Sequence, residues 1–155
     1  MKKVSSLVIA SLLLIVFALE SLAQQSVVQT QPSSDGTLEL ALTEVKQKND
    51  VVTVKAVLKN VSTASHKAVI CYQDAYFIDP KENKKYMSLK DSEDASIAGP
   101  VDNAYYCKSG RLDRELAAGQ QAILWVKFPA PASGASDIDI SFPDFLPFEG
   151  APIQK

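Results

Sequence analysis

Histidine and tryptophan each occur once in these 155 residues and cysteine twice, and each scarcity removes a class of chemistry. The single imidazole, His66, cannot build a zinc site that needs several histidines, and any catalytic triad would have to rest on it alone. Two cysteines without Cys-x-x-Cys spacing exclude a paired-thiol redox motif and a four-cysteine metal knuckle. No Gly-x-Ser-x-Gly elbow and no His-Glu-x-x-His helix occurs in the sequence, so the common hydrolase signatures are missing. Neither sign of charge dominates: 16 basic residues face 18 acidic ones at a pI of about 5.4. Such a chain lacks the concentrated positive surface that a phosphate backbone requires, and no nucleic-acid partner is expected. With 46% hydrophobic and 22% charged residues, the composition is that of a globular protein, and the length allows one domain.

The longest apolar run lies at the start. Met1-Lys2-Lys3 is a short positive segment, Val4 to Leu19 is almost uninterruptedly apolar, and Glu20-Ser21-Leu22-Ala23 closes it with small residues. This is the anatomy of a cleavable secretory signal, and the run is shorter than the ~20 residues of a spanning helix. Residues 1–23 are therefore read as a signal peptide, 24–36 as a flexible polar leader and 37–155 as the folded domain. A retained signal acting as an N-terminal anchor is the alternative. No cysteine stands near the cut, so lipid attachment there is not expected. The mature protein is expected to be secreted or periplasmic, without stable membrane insertion after cleavage.

What remains is rich in two-residue periodicity. Leu38, Leu40 and Leu42 alternate with Glu39, Ala41 and Thr43, and Val52, Val54, Ala56 and Leu58 alternate with Thr53, Lys55, Val57 and Lys59. Both patterns predict strands with one buried face, and the polar Gln47-Lys48-Asn49-Asp50 between them suggests a hairpin. Ala68 to Ile78 is a longer apolar run, expected to bend or bulge near Gln73-Asp74. Asp79 to Lys84 reads as a reverse turn and Tyr86-Met87-Ser88-Leu89 as a short returning strand. Ala122, Leu124, Val126 and Phe128 form another strand, and Ile138, Ile140 and Phe142 the last. Lys90 to Arg114 is the least regular stretch, an excursion carrying short strands at best. No segment after residue 25 has a helical period. About seven short strands without helices predict an all-β, antiparallel β-sandwich, with a closed barrel as the architectural competitor.

Few constellations suggest chemistry. Cys71 and Cys107 are an even pair in a chain read as exported, which predicts a disulfide across the irregular excursion. His66 lies in a polar loop and reads as a solvated side chain. Asp91, Glu93, Asp94 and Asp102 cluster in the excursion, but their spacing fails the EF-hand pattern, and no metal or cofactor is expected. Asn60-Val61-Ser62 fits the N-glycosylation sequon, which matters only in a eukaryotic secretory host. Tyr105, Tyr106, Trp125 and Phe148 supply aromatic surface, either as the edge of the core or as an interaction platform.

Several segments, taken in order, are similar to a known family. They are Val54-Lys55-Ala56-Val57-Leu58-Lys59-Asn60-Val61-Ser62, then Ala75-Tyr76-Phe77-Ile78-Asp79 with Lys85-Tyr86, then Leu116-Ala117-Ala118-Gly119-Gln120. Val126-Lys127-Phe128-Pro129 and Pro147-Phe148-Glu149-Gly150-Ala151-Pro152-Ile153 complete the set. Together they resemble a bacterial extracytoplasmic immunoglobulin-like domain family of unknown function, often found on lipoproteins and related in fold to a secreted mycobacterial immunoprotective antigen. The resemblance implies an immunoglobulin-like sandwich and no catalytic residues. The chain departs from that family in lacking a lipid-bearing cysteine and in carrying a cysteine pair. The expected function is that of a non-enzymatic binding module for a protein or envelope ligand. An accessory structural subunit of an envelope assembly is a second reading. A hydrolase using carboxylates among Asp74, Asp79, Asp91 and Asp94 is a third.

Overall fold

The computed structural model describes residues 27–102, 107 and 110–155; the expected signal peptide lies outside them. Eleven strands follow one another: β1 (Gln29–Pro32), β2 (Leu38–Lys48), β3 (Val51–Asn60), β4 (His66–Cys71), β5 (Tyr76–Asp79), β6 (Lys84–Met87), β7 (Ala98–Gly99), β8 (Arg111–Leu116), β9 (Gln121–Pro129), β10 (Asp137–Ser141) and β11 (Phe148–Pro152). They make a five-stranded sheet in the order β1-β2-β3-β9-β7, a four-stranded sheet in the order β11-β10-β5-β6 and a separate β4-β8 ribbon. All of their pairings are antiparallel. The sub-order β2-β3-β9-β7 against β5-β10-β11 is the ABED and CFG arrangement of the immunoglobulin sandwich, with β6 in the position of C′. The β4-β8 ribbon is an insertion whose two halves fall on either side of β5, β6 and β7 in the chain.

The alternating residues explain the two layers. Leu38, Leu40, Leu42, Val52, Val54, Ala56, Leu58, Leu124, Val126 and Phe128 from the five-stranded sheet are buried, as are Phe77, Tyr86, Ile138, Ile140 and Phe148 from the other. Phe77 joins the layers: its ring stacks on Tyr86 within its own sheet at 4.7 Å and meets Phe128 of the opposite sheet edge-on at 5.5 Å. The β2-β3 hairpin forms as its pattern predicts, with Lys48 opposite Val51 and Asn49 at a φ of 53° in the turn, a conformation that Asn tolerates better than most residues. A register shift between Leu42 and Glu44 makes Thr43 a bulge residue, and its hydroxyl donates to the Lys55 carbonyl at 3.2 Å. After the bulge Val45 takes over the buried face.

The run from Ala68 to Ile78 does bend near Gln73-Asp74. A 3₁₀ turn at Tyr72–Asp74 ends the ribbon strand β4 and sends β5 into the four-stranded sheet. The disulfide pairs Cys71 at the end of β4 with Cys107, with Cα atoms 5.9 Å apart, and so ties the excursion to the strand that precedes the bend.

Two expectations change, and a third, that of short strands in the excursion, is filled in. Residues 29–32, expected within a flexible leader, form β1 and pair with Glu39 to Leu42 of β2. Gln29 and Gln31 further donate to the carbonyls of Glu149 and Pro147, so this edge strand bridges the two sheets. The excursion contains β7 and the beginning of β8, where Arg111, Asp113, Arg114 and Glu115 had hidden a strand with only Leu112 and Leu116 buried. Ile138 to Phe142 is not the last strand, because β11 follows and pairs with β10. Among the described residues no helix is long and apolar enough to cross a membrane.

Candidate functional site

Once the inward residues are assigned to the core, the residues of opposite parity define two outer faces, one on each side of the sandwich. On the five-stranded sheet, Thr30, Ala41, Val57 and Ile123 lie side by side across β1, β2, β3 and β9. Ile123 is 57% exposed, and Val27 at the start of the described chain is equally so. Val27, Thr30, Ala41, Thr43, Val57 and Lys59 help line a shallow hollow of about 260 Å³. One register step away Glu44, Lys55, Trp125 and Gly99 make a second row, in which Lys55 pairs with Glu44 at 3.1 Å. Lys46, Thr53 and Lys127 make a third. Lys46, Lys48 and Lys55 converge with Glu44 and Thr53 around a hollow of about 330 Å³. With Glu39 opposite Lys59 in the row on the other side, five lysines and two glutamates surround an apolar row.

Trp125 is held flat on this face by an absence. A methyl group at Gly99 would meet Cε2, Cζ2 and Nε1 of the indole at 3.0 Å, so glycine lets the ring lie close across the two-residue strand β7, and a larger residue would make it shift. The ring is partly exposed, and Lys127 Nζ stands 6.0 Å from its centroid. Trp125 thus lies on the outer surface of the sheet, partly exposed. Phe148 does not: it is fully buried, packed edge-on against Phe142 at 6.4 Å, because β11 turns it inward. Tyr105 and Tyr106 lie outside the described residues.

The outer face of the four-stranded sheet has the opposite character. Met87, Tyr76 and Ser141 share one row, and Lys85, Ile78 and Asp139 the next. Met87 is 44% exposed, and Lys85 Nζ sits 3.6 Å from the Tyr76 ring centroid, a cation–π contact. Asp137, Asp139 and Glu149 add carboxylates, one of which accepts the Gly150 amide at 2.8 Å.

The other candidate groups lie in turns or at strand ends, and His66, expected in a loop, opens β4 opposite Leu116. His66 Nε2 lies 3.3 Å from Thr37 Oγ1 and 4.0 Å from Asp35 Oδ2, beside a hollow that Ser33, Asp144 and Phe145 also line. This brings hydroxyl, imidazole and carboxylate together, but in the wrong order for nucleophilic catalysis. The Thr37 hydroxyl donates to Asp35 at 2.8 Å, so the imidazole is the donor in its contact with Thr37 and does not withdraw that proton. Hydrogen bonds from Ser33, then from the Thr37 amide and hydroxyl, hold the Asp35 carboxyl down at about 2. Asp79 is buried, which alone would raise its pKa; hydrogen bonds from Ser133 and from the amides of Lys81 and Glu82 instead keep it below the ordinary value. Asp91 Oδ1 accepts the amides of Glu93 and Ala95, and Asp102 is bound to Arg114 through two hydrogen bonds of 2.8 and 2.9 Å. The acidic cluster of the sequence is thus divided between a turn and an ion pair. Among the described residues no group of three or more His, Cys, Asp or Glu is placed to hold a metal ion. Asn60 of the sequon is fully buried, and its amide nitrogen donates to the Ala64 and Leu116 carbonyls, both at 2.8 Å.

Comparison with protein-family models, curated proteins and solved structures finds no match for this chain.

Proposed function

We propose that this protein is an exported, non-enzymatic binding module of the periplasm or extracellular space, and that the outer face of its five-stranded sheet engages a protein or envelope ligand. The observation that carries this reading is the row Ala41, Val57 and Ile123 at the centre of that face, with Ile123 more than half exposed and Trp125 laid flat beside it. Contiguous apolar surface rimmed by charge is the usual composition of an interaction site. The N-terminal signal pattern and the disulfide support export, and the likeness of the ordered motifs to extracytoplasmic immunoglobulin-like domains supports the same role.

Ile123→Glu tests it. Ile123 is more than half exposed on the outer face, so the substitution is expected to change folding stability by less than about 0.5 kcal/mol while removing the partner expected to copurify with the wild-type protein from its native compartment. An unchanged copurification profile with a folded variant overturns the proposal.

A further inference from the structure

The two outer faces of the sandwich are complementary to each other. One carries Lys46, Lys48, Lys55, Lys59 and Lys127 against Glu39 and Glu44 around the apolar row Ala41, Val57 and Ile123. The other carries Asp137, Asp139 and Glu149 against Lys85 beside Tyr76, Ile78 and Met87. The whole chain has a formal charge of only −2, so opposite signs have been sorted onto opposite sides. We propose that the occupant of the lysine face is the acidic face of a second copy of this chain. This rests on the binding-module reading and names its partner.

The smaller face sets the size of the contact. Its strands β5, β6, β10 and β11 are four or five residues long at about 3.3 Å per residue and stand about 4.8 Å apart, so it spans roughly 15 by 15 Å. That is below the ~800 Å² per partner of a standard interface and falls in the size class of weak, transient contacts. Apolar centres would meet, Ile123 and Val57 against Tyr76, Ile78 and Met87, with lysines opposite carboxylates at the rim. Because the two surfaces differ and lie on opposite sides, the contact is heterologous. It leaves one face of each sign free at the two ends, so copies add in a row and do not stop at a dimer. Rim ion pairs in water contribute little each, so the association is weak, reversible and sensitive to salt.

Sedimentation of the full chain, produced with its own N-terminus so that any processing occurs as in the cell, gives the test. The wild type is expected to show an average mass that rises with concentration at low ionic strength and returns to the monomer in 1 M salt, where the screening length is about 3 Å. Lys46→Glu with Lys59→Glu makes both faces acidic, and Asp137→Lys with Glu149→Lys makes both basic. Each double variant alone is expected to remain monomeric, and mixing the two is expected to restore association, which also shows that both are folded. A wild type that stays monomeric at every concentration and salt overturns the proposal. So does a double variant that associates like the wild type, or a mixture that fails to associate when both variants keep the wild-type melting temperature. A photo-crosslinker at position 123 separates this inference from the one beneath it. Crosslinks to residues of the 76–87 or 137–149 segments of another copy support self-docking. Crosslinks only to a different protein overturn self-docking and leave the binding module standing, and no crosslink at all removes both.

Discussion

Asn60 shows how much one side chain can hold. Its nitrogen donates to the carbonyls of Ala64 and Leu116, and its oxygen accepts the amide and hydroxyl of Ser62 at 2.9 and 2.7 Å. It thereby closes the loop after β3 and fastens that loop to the end of β8. The same three residues that spell a glycosylation sequon are, in the fold, a turn whose asparagine has no free proton for a sugar. Asn60→Ala leaves the Leu116 carbonyl buried without this donor, and the expected loss is about 3 kcal/mol, measured by denaturant unfolding. A loss below about 1 kcal/mol would mean that water replaces the amide. The sequence could name this residue but not its task, because a sequon and a buried turn asparagine are written with the same letters.

At the scale of elements, legibility follows burial on one side. The strands β2, β3, β9 and β10 could be read because each has one apolar face. β1 is polar on both sides and stands at an edge, so period-two reading has nothing to detect; it is held by backbone pairing and by Gln29 and Gln31. β11 contains Gly150 and Pro152, poor strand formers, and its inward turn took Phe148 out of the expected surface. β7 is legible only through its partner. Gly99 is there because Trp125 lies on it, and a substitution series separates the two contributions. Gly99→Ala is expected to cost about 1–2 kcal/mol by overpacking and to shift the fluorescence of the only tryptophan as the indole is pushed into water. In a Trp125→Ala background the same change is expected to be neutral. Equal cost in both backgrounds would assign the effect to the backbone of β7 and not to the ring.

At the scale of the molecule, the core is uncharged while carboxylates hold the connections. Asp35 fixes the turn between β1 and β2, and Asp79 clips the β5-β6 turn to Ser133 in the loop before β10. Asp102 ties the excursion to β8 through Arg114, and Asp113 accepts Lys67 across the ribbon at 3.1 Å. All four are held below the ordinary value of 3.8, and Asp35 at about 2. A carboxyl lowered in the folded state binds its proton more readily when unfolded. Its contribution is therefore present above the ordinary value and is lost as pH falls through the folded one. The melting temperature is expected to begin falling below about pH 4 and to continue down to about pH 2, the Asp35 value. Hydrogen exchange in acid should rise first in these connections and in the β4-β8 ribbon that Asp113 joins to Lys67. Two of the four rest on ion pairs and Asp35 mainly on neutral donors, so the components can be told apart. At 1 M salt, where charges are screened beyond about 3 Å, the Asp102 and Asp113 contributions should shrink while those of Asp35 and Asp79 persist. Asp79→Asn should accordingly lower stability at neutral pH by an amount that disappears in acid. A difference that stays constant down to pH 2 would show that the side chain's shape, and not its charge, fastens the turn.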